Sequence, residues 1–353
     1  MNNTYIPVTP QPPKKKGGKG WIIALSITCG VLLLLFLALS LVTCVALTST
    51  DDPLDGFDYD YIGVLTIDGT ITSGIDINAL LSGGTVYNQQ YVLEAIKVMK
   101  NDPENKGILL LINSPGGEMY AIDEVYRALM DYKESTKRPI YAYCEEYCAS
   151  GGYYLAVTAD KIYANPMSTI GSIGVTYGTH VDISGLCEKL GIKLTDIVSD
   201  DNKAMGSSSS PITADQMAIY QRMIDEYYGR FLDVVDAGRP ELTREDLTRK
   251  TVIGYATNEN GEREEITLKL ADGRVFTANQ AVTYKLIDQI GGLGNVMDDM
   301  EKLVGDSDIP FEYFQYVPDY NDFSYLYASS DAELVKMLLA YSEQMGPLVL
   351  YKN

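Results

Sequence analysis

Apolar residues are spread along this chain in two distinct ways. Trp21–Leu47 runs for 27 residues without a charge. About 20 apolar residues suffice to cross a bilayer, whereas the apolar core of a cleaved signal peptide covers only about 7 to 15. The run therefore reads as a permanent membrane anchor. Beyond it come short apolar blocks separated by amphipathic ones. Tyr61–Ile71 and Gly107–Ile112 read as strands, the second apolar throughout, as expected for a strand covered on both faces. Between them, Asn88–Lys100 places Tyr91, Val92, Ala95, Ile96 and Met99 on one helical face. A helix over Met119–Tyr132, a strand over Pro139–Cys144, a helix from Ser150 and a strand over Lys161–Asn165 continue the alternation. Strands alternating with helices predict an α/β fold built from parallel, right-handed units.

Further on, Thr213 and Gln216 form a capping box that opens a long helix over 213–236. Its stripe of Met217, Tyr220, Ile224, Tyr227, Phe231 and Val234 reads as core or subunit contact, and Gly238 with Pro240 ends it. LKLADGRVFT reads as a hairpin turning at Asp272-Gly273. The chain thus divides into a tail (1–20), the anchor (21–47), a polar linker (48–58), a globular body (59–303) and an aromatic, acidic extension (304–353).

Charge sharpens this division. The net charge of −20 combines 28 basic and 48 acidic residues. Lys14, Lys15, Lys16 and Lys19 give the tail +4, while every acid lies at Asp51 or later, which leaves that part at −24. Positive residues stay on the cytoplasmic side of a span, so the tail is expected inside and the body outside. A body this acidic argues against nucleic-acid binding. Of the five cysteines, Cys29 and Cys44 fall within the span, while Cys144, Cys148 and Cys187 lie in the body. Without paired CxxC units or a histidine cluster there is no sign of a metal site. A disulfide is possible outside the cell, though an odd count leaves at least one thiol free.

Three glycine-rich segments follow apolar strands. Asn113-Ser114-Pro115-Gly116-Gly117 can expose backbone N–H groups at a helix start, where negative charge is favoured. Glu118-Met119 follows in place of a GK[ST] continuation, which excludes a phosphate loop. In Cys148-Ala149-Ser150-Gly151-Gly152 the serine sits at a strand-to-helix turn that could project its hydroxyl into a cleft, although a plain helix cap explains it equally well. Ser168-Thr169-Ile170-Gly171-Ser172-Ile173-Gly174 reads as a packed loop. A serine nucleophile needs a base. The single histidine, His180, reads as an ordinary polar residue. Lys203, in a glycine- and serine-rich loop, is the other candidate, because a lysine stripped of water can be neutral.

The ordered set INSPGG, CASGGYYLA, STIGSIGV, NKAMGS and LADGRVFTANQAV resembles the signal peptide peptidase A family of bacterial membrane proteases, within the Clp protease/crotonase superfamily. The resemblance spans roughly residues 61–299. It implies a spiral of ββα units and a Ser-Lys dyad with Ser150 as nucleophile and Lys203 as base. Ser172 would hold the lysine, and Gly116 or Gly117 together with Gly151 would form the oxyanion hole. It also implies a homo-oligomer in which a neighbouring subunit can supply the lysine, no cofactor, and substrates that are remnant signal peptides and other hydrophobic peptides at the outer membrane face. An acyl-CoA enzyme of crotonase type and a non-catalytic scaffold are the alternatives on the same fold.

Overall fold

The computed structural model describes residue 54, residues 56–74 and residues 86–317. Trp21–Leu47 lies outside them, and no helix among the described residues is long and apolar enough to cross a membrane.

A twisted sheet organises the body. Its strands are β1 (Tyr61–Asp68), β2 (Asn105–Ser114), β3 (Ile140–Ala149), β4 (Lys161–Ala164), β5 (Thr169–Gly171), β8 (Val275–Thr277), β9 (Gln289–Ile290) and β10 (Phe311–Phe314). The main path runs β10-β1-β2-β3-β4-β9, all parallel, while β5 pairs with the end of β3 and, antiparallel, with β8. The separate hairpin of β6 (Thr251–Thr257) and β7 (Arg263–Leu268) stands apart from it.

The period of two in β1 and β2 sorts their side chains to opposite faces. Tyr61, Leu65, Ile67, Ile108, Leu110 and Ile112 join the larger core. Ile62, Val64 and Leu109 join a smaller one on the other face. Helices α1 (Gln89–Asn101), α2 (Met119–Thr136), α3 (Gly151–Ala156) and the carboxyl half of α5 (Ala214–Gly238) cover the larger core. The smaller core is covered by α8 (Leu293–Val304) through Val296 and Met300. At Gly63 an added Cβ would lie 2.2 Å from the Met99 sulfur, so the buried Met99 side chain would have to move. Buried Arg239 closes the far edge with two bonds to Asp288, at 2.8 and 2.9 Å, and one to the Lys285 carbonyl at 3.0 Å.

Two features depart from the sequence reading. The Asp272-Gly273 turn does not fold β8 back on β7. Arg274 grips Asp272, the Gly273 N–H donates to the Ile173 carbonyl at 3.0 Å, and β8 is laid along β5 instead. The local hairpin turns instead around Asn258–Glu262. Within 304–353, Phe311–Phe314 joins the sheet as the edge strand beside β1; residues 318–353 lie outside the described ones.

Candidate active site

Parallel sheets present their ligand sites at the carboxyl ends of the strands, and three ends meet here. Register places Ser114 of β2 opposite Cys148 of β3, and Ala149 of β3 opposite Gly171 of β5. Ser150 and Ser172 therefore leave the sheet side by side. Both have left-handed backbones, with φ of 51° and 52°. With ψ at −118°, Ser150 adopts the conformation of the first central residue of a type II′ turn, which glycine dominates. An L-residue persists there only when its surroundings impose it. The Ser150 N–H donates to the Gly171 carbonyl at 2.7 Å, and the Tyr154 N–H returns to the Ser150 carbonyl at 2.9 Å. The serine side chain caps nothing in the helix that it opens, and the cap reading fails on that point.

Gly116 and Gly117 wrap this turn closely. Gly116 has φ of +106°, and a Cβ added there would sit 2.7 Å from the Gly151 nitrogen and 2.9 Å from Ser150 Oγ. At Gly117 an added Cβ would fall 1.9 Å from the Ile71 carbonyl oxygen. The Ile71 N–H donates to the Gly116 carbonyl at 2.9 Å, and the Glu118 N–H donates to the Ile71 carbonyl at 2.8 Å. The Gly117 and Gly151 N–H groups have no acceptor among the described residues. Two free donors beside a hydroxyl, one of them at a helix start, are what a developing oxyanion needs.

Two contributors escaped the sequence reading, although both sit inside or next to a quoted motif. Fully buried Ser114 donates to the Gly69 carbonyl at 2.6 Å and accepts from the Gly116 N–H at 3.2 Å, which sets the turn. Glu118 reaches back to the Ser73 N–H at 3.0 Å and its hydroxyl at 2.8 Å; these bonds hold its carboxyl below the usual range.

Ser150, Ser172 and Gly117 line an open cleft of ≈ 990 Å³. Its apolar wall includes Met119, Val175, Met223, Ile224 and Tyr227. The middle of α5, from Met223 to Arg230, thus faces the cleft while Phe231 and Val234 are buried in the core, a division that one apolar stripe could not reveal. At the rim Asp123 accepts from Tyr154 at 2.9 Å and from Arg230 at 3.1 Å, and pairs with Arg127 at 2.5 Å. Burial raises the Asp123 pKa, but these three donors outweigh it and leave the carboxyl below its ordinary range.

Lys203 is placed otherwise. It is exposed, in a turn where its N–H donates to the Asp200 carbonyl at 3.0 Å, and it is absent from the cleft lining. The stretch before it presents Tyr177, Val181, Leu186, Leu190 and Ile192 to solvent, with Ile197 97% exposed. His180 is exposed and likewise absent from the cleft. Among the described residues no group of acids, cysteines and histidine could hold a metal.

The family model described as Peptidase family S49 matches residues 132–253, and that described as Clp protease matches 75–184. A candidate signal peptide peptidase SppA of Enterococcus faecium is 34% identical over 238 residues, 67% of this chain and 62% of that protein. A candidate protease of Synechocystis sp. is 30% identical over 217 residues, 62% of this chain and 68% of the relative. Protease 4 of Haemophilus influenzae is 28% identical over 259 residues, 73% of this chain, and the chain spans only 37% of its length. Shared sequence over that extent places the chain in peptidase family S49, the family of the signal peptide peptidase A proteins.

Proposed function

We propose that this chain is a membrane-anchored serine endopeptidase that cleaves remnant signal peptides and other hydrophobic peptides outside the cytoplasmic membrane. The observation that carries the reading is Ser150, held in a left-handed turn in the cleft beside the N–H groups of Gly117 and Gly151, which have no acceptor among the described residues. Ser150 Oγ attacks the scissile carbonyl, its proton passes to the base, and the two N–H groups hold the oxyanion; one such donor is typically worth about 3 to 4 kcal/mol of barrier. The apolar cleft wall suits hydrophobic segments. The anchor is assigned to Trp21–Leu47, with the basic tail inside.

The base is Lys203 supplied by a neighbouring copy, with Ser172 positioning its amine. Support comes from the exposed turn of Lys203 and the apolar surface that precedes it, since monomers rarely leave so many large apolar side chains in water. The test is complementation. Ser150→Ala and Lys203→Ala proteins are each expected to be inactive against a peptide and unlabelled (Ser150→Ala) or slowly labelled (Lys203→Ala) by a serine-directed phosphonate. Mixed and reassembled, they should recover a substantial fraction of wild-type cleavage, because some sites then join an intact serine to an intact lysine. Folded mixtures that stay inactive would remove the shared site, and full activity of Lys203→Ala alone would remove the lysine.

A further inference from the structure

The buried pair Cys144 and Cys148 sits one turn of chain before Ser150, and the proposed chemistry does not use it. Both side chains are fully buried in the same core. Their separation follows from register. Cys144 lies opposite Ile112 and Cys148 opposite Ser114, so two residues of β2 face four of β3. Two residues of strand rise about 6.6 Å, which brings the cysteine Cα atoms to about that distance. Bridged cysteines have Cα atoms roughly 4.4 to 6.8 Å apart. The strand thus gains two residues within Glu145–Tyr147, which form a bulge; Glu146 and Tyr147 are exposed, and Ser168 ties the base of the bulge by donating to the Cys144 carbonyl at 2.8 Å.

We propose that Cys144 and Cys148 form an intrachain disulfide that closes this bulge and pins the strand end that carries Ser150. Cys187 is then left as the free thiol of the body. The chemistry is thiol–disulfide exchange with a small-molecule or protein disulfide. One thiolate attacks that disulfide and expels a thiol, and the second cysteine displaces the attached sulfur and expels the other. Two S–H bonds are lost as protons, one S–S bond forms, and the oxidant leaves as two thiols. Burial, reinforced by the adjoining Cys148 thiol, holds Cys144 well above the ordinary thiol range. In the folded chain both thiols are shut off from solvent, so the bond closes during folding and is sealed afterwards, as a structural link and not a switch.

The test uses the full chain in detergent, folded either with oxidised and reduced glutathione or with reductant alone, then denatured in an alkylating reagent and digested with trypsin. The Arg138-Pro139 bond resists trypsin, so one peptide, residues 138–161, carries both cysteines. After oxidative folding this peptide should lack two hydrogens and carry no alkyl group, while the peptide with Cys187 carries one. Dithiothreitol added to the folded protein should leave the link intact, and added in denaturant it should open it. The oxidised form should melt several degrees above the form folded in reductant, and the Cys144→Ala/Cys148→Ala double variant should show no such difference between the two conditions. Alkyl groups on both cysteines after oxidative folding, or a link from either one to Cys187, would overturn the assignment. Equal melting temperatures for the linked and unlinked forms would overturn the pinning role.

Discussion

Ser150 is expected to weaken the fold that presents it, and replacing it with glycine measures by how much. A non-glycine residue held outside its allowed backbone wells costs about 1 to 3 kcal/mol, and Ser150 sits at φ 51°, ψ −118°. Ser150→Ala keeps the Cβ and therefore the strain. It loses only a half-buried hydroxyl that caps nothing, so it should melt close to wild type. Ser150→Gly removes the strain but gives the unfolded chain about 0.5 to 1 kcal/mol of extra entropy. The difference leaves glycine ahead of alanine by about 1 kcal/mol, or about 2 to 4 °C for a body of this size. The assay is a melting curve of wild type, Ser150→Ala and Ser150→Gly in one buffer, with phosphonate labelling to show that both variants have lost the nucleophile. A glycine variant that melts at or below the alanine variant would refute the reasoning, since the turn would then carry no strain to relieve.

Two other perturbations test separate links. Gly117→Ala should abolish cleavage and lower the melting temperature, because its Cβ would fall 1.9 Å from a backbone oxygen of Ile71 that cannot move without opening the turn; wild-type kcat and melting temperature in this variant would show that the turn, and the N–H it aims, is not displaced as the clash requires. Asp299, bonded by Lys161 at 2.8 Å and by the Tyr163 hydroxyl, titrates at about 2. A depressed carboxyl stabilises the fold above its unfolded value near 3.8 and loses that contribution as pH falls to about 2. Both partners are about one-third exposed, so the wild-type advantage over Asp299→Asn should be at most about 1 kcal/mol at pH 7 and vanish by pH 2. A gap that is constant across that range in denaturant titrations would exclude the linkage.

Locally encoded features could be read from the sequence. The strand Asn105–Ser114 was visible in the unbroken run GILLLI, and α5 in its capping box, because each is set by neighbours within a few residues. The glycines around Ser150 were visible because only they let two backbones approach so closely. What local sequence cannot encode is the distant partner. The turn at Asp272-Gly273 looked like a hairpin, yet its outgoing strand pairs with Thr169–Gly171, about a hundred residues earlier. Phe311–Phe314 read as part of an appended tail because its aromatic and acidic residues lack strand alternation; its place beside β1 depends on a sheet edge built 250 residues before it.

The proposed dyad extends that limit from one chain to several. Within one copy, folding completes the left-handed turn of Ser150, the two N–H donors and the apolar side-chain wall of the cleft. It leaves Lys203 in solvent. A lysine amine serves as a base only where water is excluded from it, and an apolar surface that presses it into a neighbour's cleft would supply that exclusion. On this reading the exposed apolar stretch from Tyr177 to Ile197 serves both ends at once, holding copies together and excluding water from the base. Assembly and activation then become one step, so dilution below the association threshold should silence the enzyme with its nucleophile still in place.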